Sequence, residues 1–181
     1  MGLNPDGSSH PGGRPVQPVP PLTPDEMVAA AGERAILEAF LELQRAVVVR
    51  KVYGLTREQA VRRLVPSMTT LAGLLRHLAG VEREWFGRVL AGDQDTTGAP
   101  DDWLPGPDQG IGELIDGYRR ACARSRQIAA ALGLDDVVPH PRLGTVTLRW
   151  IYVHMIEETA RHAGQADILR EQTDGATGFD G

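Results

Sequence analysis

The chain has 181 residues, 24 acidic and 19 basic side chains and a formal charge of −5, with its arginines scattered rather than gathered in a block. That size suits one domain with a sizeable core, and the dispersed charge excludes the basic footprint of a nucleic-acid-binding protein. The single cysteine, Cys122, excludes an internal disulfide and a cysteine-based zinc cluster, so any bound metal must be held by histidines and carboxylates.

Residues 1–22 are rich in Pro, Gly and Ser and nearly devoid of apolar side chains, which reads as a disordered leader ahead of a domain spanning 23–175, with a tail at 176–181. The leader has no hydrophobic signal core, and no apolar run approaches the ~20 residues of a membrane span. A cytoplasmic protein is expected. Lys51 is the only lysine amid abundant Arg, Ala, Gly and Pro, the usage of a GC-rich bacterial genome.

Thr23, Pro24 and Glu26 make a capping box with proline at the first helical position. Ile36, Leu37, Phe40, Leu41, Val47 and Val48 then recur near the helical period, so a first long helix is expected to about Tyr53, with Gly32 as a break point. A second box, Thr56 to Gln59, opens a short helix that ends before Pro66. The next helix is expected to be capped at Ser67 or Thr69, to carry Leu71, Leu74, Leu75, Leu78, Val81, Trp85, Phe86 and Val89 as a broad apolar stripe, and to end near Gly92.

The stretch "DQDTTGAPDDWLPGPDQG" holds too much Gly, Pro and Asp for regular structure, with Trp103 as its anchor, and loops of this length are often functional. A third long helix follows from Ile111. The fourth is capped at Thr145 or Thr147 and closes near Gly175, and "DDVVPHPRLGTV" between them holds at most a short extended piece. Four long amphipathic helices without a sheet pattern indicate an all-α chain, a four-helix bundle.

Two segments carry the chemistry. In "TLRWIYVHMIEETARHAGQADILRE", Glu158 and His162 are four residues apart, about 40° around a helix and ~6 Å along it, so they converge on one point. His154 shares their face, one turn earlier. In "LLRHLAGVE", His77 sits among Leu74, Leu78 and Val81. A carboxylate and a histidine one turn apart, completed by a histidine from a facing helix, make a three-ligand site with an open position for a divalent ion. The competing reading is a surface ion pair at Glu158 and His162 and a core histidine at His77. His154 stays open between second-sphere partner, alternative ligand and solvated side chain. His10 and His140 lie in loops and read as neutral, and Asp167 with Arg170 reads as a stabilising pair.

These two segments, in this order and about eighty residues apart, resemble the DinB-like superfamily of metal-binding four-helix bundles, most closely its actinobacterial branch of mycothiol-dependent S-transferases, over about residues 33 to 175. In that family a histidine of the second helix joins two residues four apart on the last long helix, glutamate then histidine in the mycothiol-dependent maleylpyruvate isomerase. The resemblance therefore implies His77, Glu158 and His162 as metal ligands. Two departures limit it. Gln165 stands where many relatives have a further histidine, and the isomerase's separate C-terminal domain has no counterpart in these 181 residues, so no particular electrophile is implied.

What the resemblance implies is a divalent metal, zinc first, with nickel, iron or manganese as alternatives, that holds mycothiol as thiolate for attack on an electrophilic small molecule, in detoxification or isomerisation. Arg161 and Arg76 flank the ligand positions and are candidates for binding an anionic group of thiol or substrate. Cys122 need not react and reads as a semi-buried structural thiol. Trp85, Trp150 and Tyr152 read as core or pocket lining. Two other functions stay open: a hydrolase in which Glu157 is general base to a metal-bound water, and a non-catalytic metal-binding or ligand-sensing bundle. The partners expected are a small-molecule thiol and an electrophile, with a homodimer allowed and neither nucleic acid nor membrane.

Overall fold

The computed structural model describes residues 22–94, 103–106 and 108–178. Most of the leader and the end of the tail, residues 1–21 and 179–181, lie outside the described residues, as does His10. Predominantly helical, the described chain has five helices in chain order: α1 Glu33–Val52, α2 Arg57–Val61, α3 Leu71–Glu82, α4 Ile111–Ala130 and α5 Leu148–Asp174. No described helix is long and apolar enough to cross a membrane.

The helix starts follow the chain's polar caps, with two corrections. At the first box, the Thr23 N–H donates to Glu26 at 2.8 Å, but only a 3-10 turn, Glu26–Val28, forms there, and α1 begins after Gly32. The box at Thr56 and Gln59 is complete. The cap of α3 is Thr70, one residue beyond the expected pair: its hydroxyl accepts from the Gly73 N–H at 3.0 Å, while Ser67 and Thr69 bond each other. Thr147 caps α5, whose end falls at Gly175 in the left-handed region, φ 81°.

The stripe from Leu71 to Val89 is not one uniform helix. After Glu82 the chain widens into a π-helix over Arg83–Leu90, the rarer geometry that tends to mark functional segments. Within it the consecutive aromatics face different neighbours: Trp85 meets His140, Trp150 and His154, while Phe86 packs on Tyr152.

The connection before α5 is more structured than a single short extended piece. Strands β1 (Val137–His140) and β2 (Gly144–Thr147) pair antiparallel, with Val138 opposite Val146. The hairpin turns through residues 141–143 and enters β2 at Gly144, φ 75°, and the His140 ring Nδ1 accepts from the Arg142 and Leu143 N–H groups. Four-residue strands are too short to show alternation in sequence.

α1 packs chiefly on α5, and α3 on α4, with further contacts of α3 to α5 and α1. Val48, Val52, Leu74, Leu75, Leu78, Tyr118, Ala166 and Leu169 fill one part of the core, and Leu41, Phe86, Ile128, Leu148, Ile151 and Met155 the other. Each such large apolar side chain contributes about 1.5–3 kcal/mol by leaving water. An ion pair crosses this interior: Arg45 of α1 grips Glu82 of α3 through Nε and Nη2 at 2.7 and 2.6 Å, both side chains buried. Asp167 and Arg170 do not pair with each other: Asp167 meets Lys51 at 2.8 Å, and Arg170 meets Asp174 at 2.9 Å. The i, i+3 spacing alone ignored the lysine that α1 brings in.

Candidate metal centre

α3 and α5 cross with His77 facing the Glu158 and His162 turn, and all three residues are buried, 9%, 7% and 7% exposed. The helical stripe puts them there: His77 lies between the buried Leu74 and Leu78, and Glu158 and His162 flank Thr159, also fully buried. One Glu158 oxygen, Oε1, lies 3.1 Å from His77 Nε2 and 3.0 Å from His162 Nε2. One ligand atom from each residue lies within 4.8 Å of the others, a cluster that can hold a metal ion.

The bonds around the cluster decide which atoms are free to donate. His162 Nδ1 is 2.8 Å from Gln165 Oε1, so with the amide oxygen turned to the ring the N–H sits on Nδ1. The lone pair of the neutral ring is then on Nε2 and faces the Glu158 carboxylate. Two acceptors 3.0 Å apart are unfavourable unless a proton or another cation lies between them. Burial, with the neighbouring His77 and Arg161, outweighs the Gln165 bond and pushes the His162 proton affinity below that of an ordinary imidazole. That shift favours a metal cation over a proton. Two imidazole nitrogens and a carboxylate oxygen form a donor set suited to zinc and its neighbours, with coordination left open for another ligand.

Around the donors, Trp103 stacks on His77 at 4.3 Å with the ring planes 10° apart, and presents its edge to His162 at 5.9 Å. The indole is seated there because α3 carries Gly73 beneath it: a Cβ at that position would come 2.8 Å from the Trp103 carbonyl oxygen. Arg161 pairs with Glu158 Oε2 from the exposed side of α5.

The other candidates are placed elsewhere. His154 does not join the cluster: half-buried, it stacks on Trp150 at 5.1 Å and meets Trp85 at 4.6 Å, and burial lowers its pKa. Arg76 donates to Gln109 Oε1 at 3.2 Å and lines a cavity between α3 and α4. Glu157 is exposed. Tyr152 is buried on another side of α5, its hydroxyl bonded to Glu38 at 3.0 Å. Cys122 is 4% exposed, and burial, followed by the nearby Glu82, pushes its thiol up to about 12.

Two residues that shape the site stand out only in three dimensions. Gln165 looks like a lost ligand in sequence, yet it bonds the back of His162. Trp103, expected as a loop anchor, covers His77 itself. The one signal for it was a tryptophan in a stretch rich in Asp, Gly and Pro.

The model of the family described as Mycothiol-S-transferase matches residues 36–175, which include all three donors, Trp103 and Gln165. No curated protein matches the chain.

Proposed function

Because the chain belongs to the mycothiol-S-transferase family, we propose that it transfers the sulfur of mycothiol to an electrophilic small molecule in the cytoplasm, with His77, Glu158 and His162 as the ligands of a divalent metal. The domain that does so is residues 23–175, a four-helix bundle, with residues 1–22 and 176–181 outside it. The convergence of two buried imidazole nitrogens on one buried carboxylate oxygen supports this reading.

A divalent ion held there, zinc being the simplest choice, would supply a Lewis acid that favours the thiolate form of a low-molecular-weight thiol at neutral pH. The chain's own residues do the rest. His77 and His162 donate through Nε2, and Gln165 holds the His162 ring in the tautomer that leaves this nitrogen free. Trp103 shields the His77 side from water. Arg161 neutralises the outer Glu158 oxygen and is the nearest candidate for an anionic group of thiol or substrate, with Arg76 further along α3. The reaction class is formation of a carbon–sulfur bond, the thiol proton ending on the leaving group or on the electrophile's displaced electron pair.

The test is elemental analysis of the purified chain beside His162→Ala, followed by thiol consumption with mycothiol and a panel of electrophiles. About one equivalent of metal, lost in the variant, together with mycothiol-dependent product, supports the proposal. Turnover that needs no thiol would point instead to hydrolysis with Glu157 as base, and metal without any turnover to a binding protein.

A further inference from the structure

Trp150, His154, Glu158 and His162 follow one another at intervals of four along α5. Each interval advances about 6 Å and turns about 40° around the helix, so the row winds from the core out to the surface. His162 and Glu158 are 7% exposed, His154 is half-buried, and Trp150 is 42% exposed. The outer half of the row is aromatic, and it adjoins the metal cluster at Glu158.

Three elements build this aromatic surface. Trp150 and His154 stack with ring centroids 5.1 Å apart and planes 12° apart. Trp85 of the π-helix stands edge-on to His154 at 4.6 Å and tilted to Trp150 at 5.3 Å, and His140 of β1 stacks on Trp85 at 5.3 Å. These mutual contacts hold the rings in fixed orientations. Beyond Trp150 the surface stays apolar: a groove of about 370 Å³ between the hairpin and α5 is lined by Val137, Leu143, Val146 and Trp150 among others, and Val153 beside it is exposed. Large apolar side chains left in water together mark a binding surface, and a groove of this size suits a small ligand. The flanking charges of Glu157 and Arg161 act on His154 with opposite sign, so they offset one another and do not select for an ion.

We propose that Trp150, His154 and Trp85 form a subsite for the aromatic, uncharged body of the electrophile, placed so that its reactive carbon reaches the thiol sulfur at the metal cluster. The proposal rests on the S-transferase reading and names a substrate class for it: flat hydrophobic molecules with a leaving group at one end. For a benzylic halide, the sulfur forms a bond to the benzylic carbon as the carbon–halogen bond breaks, the electron pair leaves with the halide, and the thiol proton passes to solvent.

The test pairs turnover with binding. With mycothiol as the thiol, 2-(bromomethyl)naphthalene serves as the aromatic electrophile and iodoacetamide as the small one, and the unreactive 2-naphthalenemethanol is titrated calorimetrically into the full chain. In Trp150→Ala the ratio of kcat/KM for the naphthalene over that for iodoacetamide should fall about tenfold or more, mainly through KM, and the alcohol should bind about tenfold more weakly, the size of a lost ring contact. Trp150→Phe, which keeps a ring, should recover most of both. Helix content and metal content should match wild type in both variants. An unchanged ratio, or an alcohol that fails to bind the wild-type chain or binds it and Trp150→Ala equally, would overturn the proposal. So would a wild-type dimer that Trp150→Ala dissociates, because the apolar surface would then be an interface between copies. If neither electrophile turns over, the S-transferase reading fails by itself, and the calorimetric arm still decides whether these rings bind an aromatic ligand.

Discussion

Gln165 reaches back three residues along α5 to place its side-chain oxygen 2.8 Å from the Nδ1 of His162. This bond fixes which nitrogen of the buried ring points at Glu158. Gln165→Leu should leave the helix content unchanged and weaken metal binding by about 10–100-fold, the usual cost of losing the group that orients a ligating histidine. Competition against a chromogenic chelator measures it, and undiminished affinity would show that the ring is oriented by something else.

Glu158→Gln tests the donor set from the other side. A neutral amide is a poorer ligand for a divalent cation, and the change also removes the partner of Arg161. Metal affinity should fall while the protein stays folded, read by metal content beside circular dichroism. A variant that keeps wild-type affinity would shift attention to His154, one turn away.

Gly73→Ala would bring a methyl group 2.8 Å from the Trp103 carbonyl oxygen, backbone that cannot yield without moving the loop. The expected cost is about 1–3 kcal/mol of overpacking, accompanied by a change in tryptophan fluorescence as the indole leaves the His77 ring. An unchanged spectrum and melting temperature would mean that Trp103 does not sit over His77 in solution.

Much of the site could be read from sequence because its geometry is local. The helical period puts Glu158 and His162 on one face, but spacing alone also allowed a surface pair there and a core histidine at His77, and it was the family resemblance that implied the three as one ligand set. Trp103 and Gln165 acquire roles from contacts that spacing does not encode: one depends on a missing side chain at Gly73, the other on a tautomer. Arg45 and Glu82 are hidden for the opposite reason. Each looks like a solvent-facing charge on an amphipathic helix, and only the packing of α1 against α3 buries them. The hairpin and the π-helical turn were illegible because four residues are too few for a period, and a widened turn keeps nearly the same apolar pattern as an α-helix.

Removing one partner of that buried pair should be severe. Glu82→Ala leaves the Arg45 guanidinium, 5% exposed, with only Glu42 at its margin, and about 3–5 kcal/mol of stability should be lost. Denaturant unfolding measures the loss. Replacing both members with apolar residues of similar volume should recover much of it, and a double variant as weak as the single one would argue against a desolvation cost.

Cys122 gives a pH-dependent signature. Its thiol is held near 12 in the fold against an ordinary value of 9.0, so the unfolded chain releases this proton first as pH rises. Stability should therefore be unaffected by this group below pH 9 and fall between pH 9 and 12, by at most about 1.4 kcal/mol per pH unit. Cys122→Ala should flatten that part of the profile. At neutral pH the thiol should react with alkylating reagents only as fast as the protein opens. Rapid labelling of the native chain would contradict its placement.

His77 and Glu158 are 81 residues apart in the chain, so the donor set does not exist until the chain has closed that loop. A metal ion bound there, as proposed, would act as a clasp between α3 and α5, favouring the native chain over the unfolded one by an amount that grows with the logarithm of free metal. Thermal stability would then be a gauge of metal supply, and a cell starved of the ion would lose the protein to proteolysis as well as lose its chemistry.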